Sequence, residues 1–414
     1  MRWLHTSDWH LGRGFHGTSL RDAQQEMLST VCSAVEEEGV DVLLVSGDVH
    51  DRALPPEWAV TMLEDCLQHL VEAGTQVIIT SGNHDSARRL GFGSALMRRA
   101  GVHLCTTLED AWTPVVLPEP DGSALHLVYG IPYLEPQLVG PRLGLARGTH
   151  TAVLRAVTDR IRADVAARAE QVAAGAVAGV AADAPVRTVV LAHLFAARGT
   201  GSDSERIIGA DVPSGEPAIH DEETAGGLAV VPLEVFDGFD QVALGHLHGR
   251  QRLSETVRYS GSPLRLSFSE TRQAKGAWLW DSATPEIEPR PLDWSIGRPL
   301  AQLSGTLDEI LDEDAVAAHA ESFVQVTLTD EIRPERAHQR VQDAYPHLAT
   351  FSHRPPEREE AARTYSAAVE DARTEPEVVE AFLAHVRGRG ASAEERGLVD
   401  EALAAVRAET GGVR

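Results

Sequence analysis

Five short clusters carry side chains able to bind a metal ion: Asp8-Trp9-His10, Gly47-Asp48-Val49-His50-Asp51, Gly82-Asn83-His84-Asp85, Ala192-His193 and Gly245-His246-Leu247-His248. Carboxylate, amide oxygen and imidazole, with no thiolate, suit manganese, iron or zinc, and two such ions side by side make a hydrolytic centre. At a strand end, side chains two residues apart point to the same side, so Asp8 and His10 can reach one ion, as can His246 and His248. Asp48 is the best candidate to bridge two ions through its two oxygens. Singly, each cluster has an ordinary structural reading, because Asp and His also cap helices and satisfy turns. Gly-Asn-His-Asp is more specific, since a turn glycine followed by three polar groups has little structural purpose.

The elements that must position these clusters are legible from periodicity. Trp3 to Ser7 is a short strand, followed by a helix near Leu20 to Glu38 with Met27, Leu28, Val31 and Val35 on one face and Gly39 as its stop. Val40 to Ser46 is almost wholly apolar, as a strand covered on both faces should be. Pro55 and Pro56 open a second helix, with Val60, Leu63, Leu67 and Leu70 at helical spacing and Gly74 closing it, and strand Gln76 to Thr80 follows. This βαβαβ beginning predicts a layered α/β domain with its catalytic loops at the carboxyl ends of the strands.

Further strands are expected at Arg187 to Ala192, Gln241 to Leu244, Val257 to Tyr259 and Ala277 to Trp280. Between them, Thr149 to Asp183 is alanine-rich, with a helix through Val153, Val157 and Ile161 that fades into a stretch read as a linker or insertion without chemistry. Pro285, Pro289, Pro291 and Pro299 mark a boundary. Beyond it, strand Ser322 to Leu328 and helix Pro334 to Tyr345 suffice for a small α+β unit. In the tail, Val378, Val379, Phe382, Leu383 and Val386 form one apolar face, and Leu398, Leu403 and Val406 part of another. Two short amphipathic helices without a core of their own need a surface to pack against.

Composition narrows the function classes. A chain of 414 residues has room for two to three domains, and 43% apolar with 24% charged residues is ordinary globular usage. No apolar run approaches the roughly 18 residues of a membrane span, and polar residues stand where a signal peptide needs an apolar stretch, so a soluble cytoplasmic protein is expected. Cys32, Cys66 and Cys105 are far apart and form no CxxC pair, so each reads as a small buried apolar residue. The net charge of −25 argues against a generic nucleic-acid binder. It does not exclude a nuclease, because bound divalent cations reverse the local charge and a partner can supply a basic surface. Of 37 basic residues only Lys275 is lysine, so any phosphate clamp is built from arginine.

The order Asp-x-His, Gly-Asp-x-x-Asp, Gly-Asn-His-Asp, His, Gly-His-x-His resembles that of the calcineurin-like metallophosphoesterases. Thr6 to Gly12, Gly82 to Ser86, Asp203-Ser204-Glu205-Arg206, Gly245 to His248, and Tyr259 to Leu264 with Phe268-Ser269-Glu270 look like the SbcD family, nuclease subunits of the SbcCD complex. Tyr345-Pro346 and the Glu375 to Arg389 segment are similar to the tail of that family, so the likeness covers nearly the whole chain apart from the alanine-rich insertion. It implies an α/β metallophosphoesterase β-sandwich flanked by helices (1–283, with 149–185 inserted), a small α+β capping domain (284–352) and a helical SbcC-binding tail (353–414).

The resemblance also implies roles. Asp8, His10, bridging Asp48 and His248 would hold one Mn²⁺, and Asp48, Asn83, His193 and His246 a second. His84 would contact the scissile phosphate and help the leaving oxygen depart, with Asp85 orienting it. Two cations about 3.5 to 4 Å apart lower the pKa of a shared water and clamp an in-line displacement, and charge relief at the phosphoryl oxygens does most of the work. Arg13, His16, Arg88 and Arg89 would lie near DNA, each with a solvated-surface alternative, and Arg206 can equally pair with Glu205 or Asp203. His50 stands where the family usually has an aromatic residue, and packing beside the site is favoured over a substrate contact. Asp51 reads as a loop or supporting carboxylate.

The activity so implied is a manganese-dependent nuclease that degrades double-stranded DNA from its ends and cuts single strands and hairpins. It would work with the ATPase SbcC in DNA recombination, replication and repair, as a homodimer within a heterotetramer. The alternatives are a dimetal phosphoesterase acting on small phosphoesters or phosphoproteins, and a scaffold with a vestigial site. The presence of all seven expected ligands counts against the scaffold.

Overall fold

A computed structural model describes residues 1–146, 148–197, 224–225, 228–283, 287–356, 372, 374–387 and 389–410. Strands β1 (Arg2–Thr6) and β2 (Val42–Ser46) pair in parallel, and their side chains alternate between two apolar layers. Trp3, Val42 and Leu44 point to one layer, and Leu4, Leu43 and Val45 to the other. Such burial on both faces is why β2 carries no polar residue before Ser46.

Strands β3 (Gln76–Thr80) and β4 (Val102–Cys105) extend this sheet in parallel. A second sheet is built from β5 (Val115–Pro118), β6 (Leu125–Ile131), β7 (Val186–His193), β8 (Gln241–Gly245), β9 (Gln251–Arg252) and β10 (Val257–Tyr259), in the order β9-β10-β8-β7-β6-β5. Strands β11 (Lys275–Asp281) and β12 (Arg290–Trp294) return to the first sheet, whose order is β12-β11-β1-β2-β3-β4.

The two sheets pack face to face through Trp3, Leu44, Ile78, Val128, Leu191 and Trp280. Helices α1 (Arg21–Glu38) and α2 (Glu57–Glu72) cover the outer face of the first sheet, and α3 (His150–Ala173) that of the second. The result is the helix-flanked β-sandwich expected from the sequence. Helix α1 ends where expected, on Gly39 at φ 60°.

Two local expectations change, while the cysteines are buried and free as expected. The end of the alanine-rich stretch is not a free linker, because Val172 is buried and Val177 and Val180 pack on the core beneath α3. The proline run contains β12, an edge strand, where Pro291 costs no central ladder bond. Cys32 of α1 and Cys66 of α2 are far apart in sequence, yet their sulfurs lie 3.6 Å apart because the two helices are neighbours.

Contacts divide the chain into two units, Met1–Leu303 with Val316–Val326 and Gln342–Thr350, and Ser304–Ala315 with Thr327–Val341 and Phe351–Arg414. A three-stranded sheet runs β13 (Leu300–Gly305), β14 (Phe323–Leu328) and β15 (Leu348–His353), and helix α4 (Ala337–Ala344) lies between the last two in sequence. Within the second unit, α5 (Glu375–Arg387) and α6 (Ala393–Thr410) are tied by Arg387 and Arg389 to Glu395, while Phe382, Val386 and Leu398 stay exposed. Among the described residues, no helix is long and apolar enough to cross a membrane.

Candidate metal centre

The carboxyl ends of five strands from both sheets converge on Asp48. Asp8 and His10 follow β1, Asp48 follows β2, Asn83 and His84 follow β3, His193 is the last residue of β7, and His246 and His248 follow β8. Oδ2 of Asp48 lies 3.3 Å from His193 Nε2, 3.7 Å from His10 Nε2 and 3.9 Å from His84 Nε2, and Oδ1 accepts the backbone N–H of His84 at 2.9 Å. Ligand atoms of Asp8, His10 and His248 lie within 4.8 Å of one another, as do those of Asp8, Asp48 and His193, and those of His10, Asp48 and His84. Asn83 Oδ1 sits 2.9 Å from His193 Nε2. His246 belongs to none of those close groups. Its ring packs edge-on against His193 at 5.3 Å, and its backbone N–H reaches the Asp8 carboxylate at 3.1 Å.

The geometry that joins Asp8 with His10 is not the strand alternation expected. Asp8, His10, Asp48 and His246 all lie beyond their strands with φ of 53°, 46°, 50° and 102°, a left-handed region costly for these residues. Four such positions in one cluster mark a backbone shaped for the site rather than for the sheet. The strained loops are zipped together by Asp8 N–H to Gly47 O and His10 N–H to Asp48 O.

Burial and mutual proximity set the charge states. Burial raises Asp8 to about 6, with His193 opposing and Asp48 assisting. Burial would also raise Asp48, but His193, His10 and His84 outweigh it and hold this carboxyl well below its usual range. Burial opposes charge on His193, yet the Asp48 carboxylate lifts it to about 9. Burial, with His193 close by, keeps His246 neutral, and burial takes His248 down to about 4 despite Glu270.

The donor set fits divalent cations. Nε2 of His10 and Nε2 of His248 face each other at 3.2 Å, and the buried Nδ1 of His10 is turned the other way, toward the Asp51 carboxylate at 3.6 Å. The outer nitrogens are spoken for: His193 Nδ1 donates to Ser46 O at 2.9 Å, and His248 Nδ1 to Glu270 Oε1 at 3.1 Å. Their Nε2 atoms are thereby turned inward, the arrangement that ligating histidines need.

Asp85, expected to orient His84, does not. Its carboxylate accepts from Val49 N–H, His50 N–H and Gly82 N–H, so it ties the loop after β2 to the loop after β3. The carbonyl of Asp51 holds His84 Nδ1 instead, at 2.7 Å. The Asp51 carboxylate lies 3.6 Å from both His10 Nδ1 and Arg13. His50 is buried with Nδ1 3.5 Å from Asp85, and its Nε2 is without a hydrogen bond. Of the expected DNA contacts, Arg88 and Arg89 are exposed, Arg89 donating to Ala53 O, while exposed His16 packs on Phe15. Asp203, Ser204, Glu205 and Arg206 lie outside the described residues.

Residues 1–135 match the calcineurin-like phosphoesterase family, and residues 297–387 the type 5 capsule protein repressor C-terminal domain. The SbcD subunit of the nuclease SbcCD from Rhodobacter capsulatus is 36% identical over 327 residues, covering 75% of this chain and 74% of that protein. The chain belongs to the SbcD family. The SbcD proteins of Escherichia coli strain K12 (29% over 317 residues; 75% and 72% coverage) and Bacillus subtilis strain 168 (28% over 368 residues; 84% of each) are further relatives. Calcineurin-like phosphoesterases bind divalent metals, and the clusters around Asp48 are where this SbcD-family chain offers ligands.

Proposed function

We propose that this chain is a manganese-dependent DNA nuclease subunit, acting on phosphodiester bonds at double-stranded ends, in single strands and in hairpins. The observation that carries the reading is the gathering of the buried Asp8, His10, His84, His193 and His248 around Asp48 in overlapping groups of metal-binding atoms, in a chain of the SbcD family. Asp8, His10, Asp48 and His248 would hold one Mn²⁺, and Asp48, Asn83, His193 and His246 the other. When bound, the two ions supply an activated water and neutralise the phosphoryl oxygens.

The chain's own residues do the rest. Asp48, ionised by its histidine neighbours, would be the carboxylate shared by both sites. His84, donating its Nδ1–H to the Asp51 carbonyl, would present Nε2 to the reacting phosphate, where its doubly protonated, cationic form donates a hydrogen bond and then the Nε2 proton to the departing oxygen, leaving neutral imidazole. Arg13, Arg88, Arg89 and His16 contact the DNA backbone, giving affinity without sequence preference. Asp85 supports the site by holding two ligand loops together.

The exposed apolar faces of α5 and α6 dock on an SbcC-like ATPase, and residues 284–352 form the capping domain. The exposed apolar groove lined by Leu54, Val60 and Phe92 supports a homodimer, within a heterotetramer, as does the family resemblance. DNA recombination, replication and repair in the cytoplasm are the processes this activity serves.

The test is a Mn²⁺ assay on end-labelled duplex and hairpin DNA, with and without the ATPase partner and ATP. Wild type is run beside His84→Gln and Asp48→Ala, and with p-nitrophenyl phosphate in parallel. Cutting by wild type, with at least a hundredfold loss in both variants, is expected. Strong hydrolysis of p-nitrophenyl phosphate without DNA cutting under any condition would replace the reading with a small-molecule phosphoesterase.

A further inference from the structure

Directly behind His248 lies a buried ion pair that the proposed mechanism does not use. Glu270 is fully buried and Lys275, the single lysine of the chain, nearly so. Glu270 Oε1 accepts from His248 Nδ1 at 3.1 Å, and Oε2 accepts from Lys275 Nζ at 2.6 Å and from Leu266 N–H at 3.1 Å. Lys275 Nζ also donates to the carbonyl of His248 at 2.8 Å, to Ser262 Oγ at 2.9 Å and to Gln273 Oε1 at 2.9 Å. The carboxylate therefore grips the ring of His248 while the ammonium grips its backbone.

Burying two charges contributes little stability on balance, because desolvation consumes most of their attraction, so a pair placed here calls for another purpose. An ionised carboxylate can only accept, and Lys275 keeps Glu270 ionised by giving it a fixed counter-charge. Nδ1 of His248 must then carry the proton, and Nε2, which faces His10 Nε2 at 3.2 Å, keeps its lone pair. His193 has a backbone carbonyl in the corresponding place, where His248 has a full negative charge. We propose that Glu270, held by Lys275, is a positioning residue that fixes the Nδ1–H tautomer of His248 and aims its Nε2 at the cation shared with Asp8 and His10. The inference rests on the metal-centre reading above.

Glu270→Gln is the discriminating variant. A glutamine can keep its carbonyl on Lys275 while turning its amide N–H toward Nδ1, which forces the proton onto Nε2. The full-length chain is titrated with Mn²⁺ by calorimetry, and long-range ¹⁵N–¹H spectra of its histidines are recorded without metal. The expected result is one Mn²⁺ site weakened at least tenfold with the other unchanged, together with one histidine switching from Nδ1–H to Nε2–H. Should the single variant not fold, the Glu270→Gln/Lys275→Gln double variant, which removes both charges, is read the same way. An unchanged isotherm, or a weakened site without the tautomer switch, would overturn the proposal. Wild-type protein that bound no Mn²⁺ would overturn the metal-centre reading and this proposal with it, a result distinct from normal wild-type binding beside an unaffected variant.

Discussion

At Gly82 a single methyl group would reach the centre of the site, since a Cβ there would lie 2.1 Å from Asp48 Oδ1 and 2.4 Å from the Asp48 backbone nitrogen. Those atoms belong to the most constrained carboxylate of the cluster and cannot retreat cheaply. Gly82→Ala is expected to cut Mn²⁺ affinity and DNA cleavage by at least a hundredfold, measured by titration and by release of end label. A variant with near-wild-type affinity would show that Asp48 is not held where the convergence of strands puts it. The five clusters were legible because each sets carboxylate, amide or imidazole side chains after an apolar run, and the family resemblance singled out seven ligand candidates among them. Their supports were not, because a backbone carbonyl such as that of Asp51 or Ser46 leaves no trace in the sequence. Glu270, 22 positions from His248, follows no local spacing either.

His5 gives a second prediction at this scale. Burial, with Arg258 nearby, lowers its pKa from 6.5 to about 3. The unfolded chain therefore binds a proton that the folded chain refuses between those values. Stability is fully present above about pH 6.5 and is lost as pH falls toward 3, at up to about 1.4 kcal/mol per pH unit for this one group. Metal-free His5→Gln should show a shallower fall of melting temperature between pH 6.5 and 4 than wild type. Parallel curves would show that His5 is not neutral in the fold.

At the scale of elements, the parallel strands were legible where they are continuous apolar runs. Strand β6 was not, because His126 and Gly130 interrupt Leu125-His126-Leu127-Val128-Tyr129-Gly130-Ile131; both are buried, His126 satisfied by Glu119 at 2.9 Å. The proline run hid β12 for a related reason: only a sheet edge tolerates Pro291, and edges cannot be recognised before the sheet is known. The tail helices were legible by periodicity, and on them Phe382 is 49%, Val386 62% and Leu398 63% exposed. Phe382→Glu with Val386→Glu should weaken binding of an SbcC-like ATPase more than tenfold in a pull-down or calorimetric titration, with hydrolysis of p-nitrophenyl phosphate unchanged. Unimpaired binding would move the docking surface elsewhere.

Over the whole molecule, the net charge is −25, and among the described residues buried carboxylates and imidazoles crowd together around Asp48, where cations would offset their charge. A ligand at a hundredfold excess over its Kd stabilises by about 2.7 kcal/mol per site. Saturating Mn²⁺ should therefore raise the melting temperature of the metal-free protein by on the order of 5 °C or more, and Asp48→Ala should abolish the rise. On the proposed function, a chain of this charge would approach a polyanion through a few arginines, bound metals and a partner's basic surface.

The most direct measurement is anomalous diffraction at the manganese edge from crystals soaked in Mn²⁺. Two peaks about 3.5 to 4 Å apart, with Asp48 touching both, Asp8, His10 and His248 on one side and Asn83, His193 and His246 on the other, are the expected result. A single peak, or a pair that leaves Asp48 on one ion only, would contradict the two-metal centre.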